Sequence, residues 1–298
     1  MKRYINYNFL KKKKITIVKG EGKSLEFVLS PFSLKSKNYK AKQEFIEKLR
    51  HFLLTMTKEC PNFDIDQFHN NFQKINFKLY DDNNKNSMVI FLKRKCKIYN
   101  LNSIYHELLH LASIRVSGST EYCGLSESYY VYGDSFGKGL NEGYTQLIKE
   151  RYFGLDNHLV YPVEVKIASL LEILVGQDFM EKCFFQANLK MLCEKLQKYN
   201  SANEIRYFIN RLDKLHMCIN SLDDNNTKIQ ELYNDINMFL FECLKSKAEI
   251  ENNENILNNQ IKKLFDTDLT LTYINQNKII LKGLDKNILD EYKNKQKK

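Results

Sequence analysis

Two imidazoles and a carboxylate stand together in IYHELLHLAS, residues 104–113. His106 and His110 are four positions apart. On an α-helix that spacing puts both rings on one face, one turn apart, so both can ligate one metal ion. Glu107 lies about 100° further round the helix. It is badly placed to share the ion and well placed to take a proton from a water bound there. Leu101, Ile104, Tyr105, Leu108 and Ala112 form a neighbouring apolar stripe that would anchor the helix in a core. Two idle histidines on a surface helix would not adjoin such a stripe, so metal binding at the pair is the expectation.

A zinc hydrolase site needs a third protein ligand and an open fourth position. The extended pattern HExxHxxGxxH is absent, because Ser113 and Val116 occupy its later positions. The other histidines, His51, His69, His158 and His216, show no ligand spacing and read as ordinary surface or core residues. Glu142, in KGLNEGYTQLIKERYF (138–153), is the expected third ligand. It sits in the first turn of a predicted helix, where a carboxylate could also merely complement the helix dipole. Gly143 beside it costs that helix about 1 kcal/mol relative to Ala, which makes sense if another backbone or a substrate comes close. Glu121, Glu127 and Asp134 are rival ligands in chain that reads as irregular.

HELLH followed downstream by LNEGYT resembles the gluzincin class of zinc metallopeptidases. In its thermolysin-like and aminopeptidase-N-like members, the HExxH helix is followed by a helix bearing an Asn-Glu pair, and that Glu is the third ligand. The resemblance covers roughly residues 87–153, with 31 residues between His110 and Glu142, a longer interval than in either group. It implies that His106, His110 and Glu142 hold one Zn2+ per chain, that Glu107 is the general base, and that Asn141 matches the Asn before the ligand. It implies a peptide or protein substrate, and an edge strand, SMVIFLKRK, to which an extended peptide can add. Where thermolysin-like enzymes place a carboxylate four residues after the ligand Glu, this chain has Gln146. An amide can accept an imidazole N–H but adds no charge, so Thr145, Asp134 or a backbone carbonyl could take that role. Such enzymes also employ a Tyr or His to donate to the oxyanion. Tyr161, just before Pro162, is the first choice, and Tyr129, Tyr130, Tyr132 and His158 are alternatives.

The elements that must position these residues read as an α+β chain. Residues 15–29 suggest two strands around Gly20 and Gly22, and 38–59 a helix with Phe45, Ile46, Leu49, Phe52 and Leu53 on one stripe. KINFKLYDD (74–82) and SMVIFLKRKCKIY (87–99) suggest strands joined by a turn at 82–86. The HExxH helix is expected from Ser103 to about Arg115, capped by Asn102, and the glutamate helix over 140–153. Between them, 117–140 is rich in Gly and Tyr and reads as irregular and turn-rich. From Pro162 the pattern is helical over 162–175, 178–199, 202–219 and 226–263, with a small hairpin at 269–281 and a frayed, charged tail. This gives an N-terminal mixed part (1–74), a zincin-like catalytic core with a small mixed sheet (75–160) and a mostly helical C-terminal part (161–298).

At 298 residues the chain can bury a substantial core without disulfides. Its 7 Cys include no CxxC pair, which argues for reduced thiols and a cytoplasmic protein. No apolar run is long enough to span a membrane, and the first residues lack the apolar core of a signal peptide. The net charge of +10 is spread along the chain. The basic runs Lys11–Lys14 and Lys93–Lys97 lack aromatic interleaving, so no specific nucleic-acid partner is expected. Two other classes stay open: a degenerate zincin that binds peptides without cleaving them, and a basic nucleic-acid-binding protein with a structural metal.

Overall fold

A computed structural model describes residues 13–18, 24–29, 34–36, 38–80, 87–91, 93–129, 134–155, 160–221, 226–266, 269–272 and 278–296. The described chain is α+β and mostly helical. By its contacts it divides into two units: Met1–Arg115 with Ile148–Asn157, and Val116–Leu147 with His158–Lys298. These units interleave along the chain, whereas the breaks at 74 and 160 cut it into consecutive stretches. Among the described residues no helix is long and apolar enough to cross a membrane.

In the first unit, β1 (Lys13–Val18) and β2 (Ser24–Leu29) are the two expected strands, and they pair antiparallel. Helix α1 (Tyr39–Glu59) starts where the Asn38 side chain accepts from the Ala41 N–H, and it buries the expected stripe, extended to Met56. Helix α2 (Ile65–Phe72), which the sequence reading omitted, is capped by Asp64, whose carboxylate accepts from two backbone N–H groups. Phe27, Phe52, Phe68, Phe72 and Phe77 pack ring against ring, each about as apolar a payload as a core side chain can carry.

The four-stranded sheet of this unit has the order β3 (Leu34–Lys35), β4 (Asn76–Leu79), β6 (Lys95–Ile98), β5 (Met88–Ile90), and β5 alone runs antiparallel. The segment 87–99 is therefore two strands, not one. The chain turns back before Lys95 through Arg94, which has a left-handed φ of 50°, and Val89 pairs with Cys96. The edge strand expected from SMVIFLKRK is confined to Met88–Ile90, and the turn expected at 82–86 lies outside the described residues.

A 3-10 turn (Leu101–Ser103) leads into α3 (Ile104–Ser113). Asn102, expected to cap α3, lies inside the 3-10 turn, and that turn is capped by Asn100, whose Oδ1 accepts from the Asn102 N–H at 2.8 Å. Ser103 stands at the N-cap position of α3 in a helical conformation and makes no side-chain capping bond; its hydroxyl bonds the Asn100 carbonyl and the Ser87 hydroxyl instead.

In the second unit the segment read as irregular is a meander of β7 (Ile114–Ser117), β8 (Thr120–Cys123), β9 (Ser126–Tyr129) and β10 (Asp134–Phe136), in the order β10-β9-β8-β7. Gly118 and Gly124, at φ 59° and 55°, make its tight turns. Helix α4 (Lys138–Phe153) begins in this unit and ends in the first. Helix α5 (Pro162–Val175) has the expected bounds.

The helix expected over 178–199 is two, α6 (Gln177–Phe185) and α7 (Leu189–Leu196). They part at Ala187, whose φ is 50°, and Asn188 caps the second. Helices α8 (Ala202–Asn220) and α9 (Asn226–Ile250) pack together, with Phe208 stacked on Phe239. The single helix expected over 226–263 breaks after Ile250, near the left-handed Asn252, before α10 (Asn255–Ile261) and a π turn over Lys262–Asp266. The hairpin β11 (Leu269–Thr272) and β12 (Lys278–Leu281) follows as expected. The tail is a helix, α11 (Lys286–Gln296), rather than frayed chain.

Candidate metal centre

Helix α3 is apolar almost all round, so folding buries even its polar residues. His106, Glu107 and His110 are all less than a tenth exposed. The i, i+4 spacing brings the two imidazole Nε2 atoms to 3.0 Å, with the rings nearly perpendicular. A tetrahedral ion with metal–nitrogen bonds of about 2.0–2.1 Å would hold two such atoms about 3.3 Å apart. The pair therefore fits a shared ion after a small adjustment.

Glu142, in the second turn of α4, completes the group. One ligand atom from each of His106, His110 and Glu142 lies within 4.8 Å of the others. Two nitrogens and one oxygen can hold a metal ion and leave a coordination position open. The donor set alone does not select among the first-row divalent ions. Among the described residues, the rivals Glu121, Glu127 and Asp134 belong to no such group. They lie on β8, β9 and β10, where Glu127 accepts the Tyr129 hydroxyl at 2.8 Å. Cys96 on β6 is not among the grouped ligands either, and burial with the negative charge of Glu107 pushes its thiol pKa well up.

The C-terminal end of α3 is held by α2. The Asn71 side-chain amide donates to the carbonyls of Leu111 and Ile114, and Gln67 donates to Ala112. Tyr105 stacks on Phe153 and hydrogen-bonds His51, while His69 bonds the Glu26 carbonyl. Both lone histidines thus have structural partners.

Helix α4 is held differently. Its first backbone bond runs from the Asn141 N–H to the Gly137 carbonyl, so Gly137, with φ 84°, is its cap and has no side chain to offer. Asp213 of α8 supplies the acceptor instead. Its two oxygens take the Gly137 and Gly139 N–H groups at 2.7 and 2.8 Å. Burial nonetheless raises the Asp213 pKa. Asn141 accepts from the Leu125 N–H at 3.0 Å, tying α4 to the β8–β9 turn. Gly143 answers the expectation of a close approach: a Cβ there would lie 2.4 Å from the Glu164 carbonyl carbon and oxygen. Thr145 bonds the Asn141 carbonyl, Tyr144 bonds Glu172, and Gln146 is buried on the same helix.

Tyr161 is left-handed, at φ 53° and ψ 47°, whereas a residue before proline ordinarily favours extended backbone. It starts α5, its carbonyl accepting from the Val165 N–H, and its ring lies 5.7 Å from that of His216. Of the alternatives, Tyr129 is exposed on β9, and Tyr130, Tyr132 and His158 lie outside the described residues. Sequence reading missed the buried pair His216–Glu164, 2.8 Å apart, and the trans-capping Asp213. A signal for His216 was available: Ile205, Ile209, Leu212 and His216 share one helical face, so its imidazole sits on an apolar stripe.

The chain matches no protein-family model, no curated protein and no solved structure.

Proposed function

We propose that the chain is a zinc-dependent peptidase of the gluzincin class with a zincin-like core. The observation that carries this reading is the convergence of His106, His110 and Glu142 on one point, with Glu107 next in the same helix. The three ligands would hold the ion, and a zinc ion there supplies Lewis acidity, acidifying water and polarising the scissile carbonyl. Glu107 takes the proton from the attacking water and passes it to the leaving amine as the C–N bond breaks. Burial of Glu107 at the edge of an apolar helix keeps that proton from exchanging freely with solvent. Tyr161 donates its hydroxyl to the developing oxyanion. The edge strand Met88–Ile90 pairs with an extended peptide through its main chain. The protein acts in the cytoplasm.

Metal analysis and peptide hydrolysis test this directly. The protein should carry about one zinc per chain, and His106→Ala or His110→Ala should abolish it, since two ligands are too few for tight binding. Glu142→Ala should weaken binding. Glu107→Gln should keep the ion and lose at least about 10²-fold in rate. Protein that cannot be loaded with zinc sinks the reading. Full zinc content without turnover on a broad peptide library points instead to a peptide-binding module.

A further inference from the structure

We infer that Asp213 is the positioning residue for Glu142, setting from a distant helix the place at which the third ligand stands. The inference rests on the metal-binding reading of His106, His110 and Glu142. It begins with a deficiency in α4. A helix needs acceptors for its first N–H groups, and an N-cap side chain normally provides one. The cap here is Gly137, which cannot. Glycine is nonetheless required at that position, because φ is 84° and a Cβ would lie 2.3 Å from the Leu125 carbonyl oxygen. The local sequence therefore cannot fix where α4 begins.

Asp213 does so across 74 residues of chain. One oxygen takes the N–H of Gly139 and the other takes that of Gly137, a two-point grip that sets orientation as well as place. Its negative charge also lies at the positive end of the helix dipole. The residues on either side of Asp213 on α8 reinforce the grip. A Cβ on Gly139 would lie 2.9 Å from the Leu212 carbonyl oxygen and 3.1 Å from the His216 Cβ, so α8 meets the α4 backbone with nothing between. Glu142 follows Gly139 by three residues, within one turn. In so short a stretch of helix, a shift of the capped end reaches the ligand undamped. Ligating groups tolerate only small displacements, and loss of a partner that orients a ligand typically costs 10–100-fold in metal affinity.

The test measures zinc affinity by competition with a chromophoric chelator, alongside thermal melting, on the full chain. Asp213→Asn keeps one acceptor oxygen and turns an amide NH2 toward the other N–H. Asp213→Ala removes both acceptors. Zinc affinity should fall about tenfold in Asp213→Asn and further in Asp213→Ala. Leu240→Ala, in the α9 core, provides a destabilised control that should bind zinc as the parent does. If the Asp213 variants bind zinc as tightly as the parent, the positioning role is wrong while the metal centre stands. If Leu240→Ala loses as much affinity at equal melting temperature, the effect is general destabilisation and the inference is likewise wrong. If the parent itself takes up no zinc, the metal reading fails and the inference falls with it. Should Asp213→Ala not fold, Asp213→Asn decides alone.

Discussion

Helices α3 and α4 each bring residues to the candidate metal centre, yet the contacts that hold them differ. Nine of the ten residues of α3 are buried, and its start has no side-chain cap. Its place is set by hydrophobic burial, which is strong but non-directional. Helix α4 also buries Leu140, Tyr144 and Ile148, but directional contacts are added to that burial: the Asp213 carboxylate, the Asn141 bond to Leu125, and two glycines against neighbouring backbone. The difference follows from what each helix delivers. His106 and His110 fix each other through helical periodicity alone, so α3 need only fold. Glu142 is a single candidate ligand whose position depends on how its helix is docked.

The largest effect should come from filling the closest contact. Gly143→Ala would put a methyl 2.4 Å from the Glu164 backbone, forcing α4 from α5. Overpacking of this kind costs about 1–3 kcal/mol, and here the upper end is expected because backbone cannot yield as a side chain can. Zinc affinity should fall at least tenfold with it. A variant that melts earlier but binds zinc normally would break the claim that docking sets the ligand. The counterpart on α3 is Asn71→Leu, which leaves the buried carbonyls of Leu111 and Ile114 without this donor. About 2 kcal/mol of stability should be lost, by denaturant unfolding, with zinc affinity little changed. A large affinity loss there would show that burial alone does not hold the histidine pair.

The comparison extends to pH, because the unit that holds α4 by polar contacts also buries ionisable groups. Lys166 on α5 bonds the Tyr233 hydroxyl and lies over its ring, and burial, with Lys263 nearby, lowers its pKa to about 8. The unfolded chain, with the ordinary value of 10.5, therefore binds more protons between pH 8 and 10.5. The contribution of Lys166 to stability rises with pH across that window, and the full cost of burying the ammonium applies below it. The shift corresponds to about 3 kcal/mol, partly offset by the contacts to Tyr233. Lys166→Met should stabilise the protein by about 1–2 kcal/mol at pH 7, and this advantage over the parent should shrink as the pH rises from 8 to 10.5. A difference between variant and parent that stays constant over that range would exclude the Lys166 effect.

What the sequence made legible follows the same division. The stripe of α1, the bounds of α5 and the histidine pair depend on residues three or four apart, and periodicity reads them. Glu142 was found from its helix and its Asn-Glu wording. The meander after α3 was hidden because its strands are short, half-exposed and rich in Ser, Glu and Tyr, with no clean alternation. The break between α6 and α7 was hidden because a left-handed Ala187 carries no glycine or proline signal. Asp213 and Glu164 could not be read at all: their partners lie 74 residues and 52 residues away, and only the fold brings them together.

The smallest expected effect lies at the other cap. Asn100→Ala removes the side chain that accepts the Asn102 N–H ahead of α3. Three features make this cap cheap to lose. The freed N–H is exposed and can turn to water. The backbone bond from the Ser103 N–H to the Asn100 carbonyl survives the change, as does the Ser103 hydroxyl bond to that same carbonyl. The Tyr99 N–H is still held by Ser87. The cost should be about 0.5–1 kcal/mol, the low end for an N-cap, read as a small fall in melting temperature. Zinc affinity should not change, because the 3-10 turn separates this cap from His106 and the apolar faces of α3 still fix its place. Asp213→Ala removes a cap too, but one that grips two backbone N–H groups within a turn of Glu142, and there affinity should drop. If Asn100→Ala weakened zinc binding as much as Asp213→Ala does, caps would matter equally on both helices. The contrast between a ligand pair fixed by periodicity and a single ligand fixed by docking would then be lost.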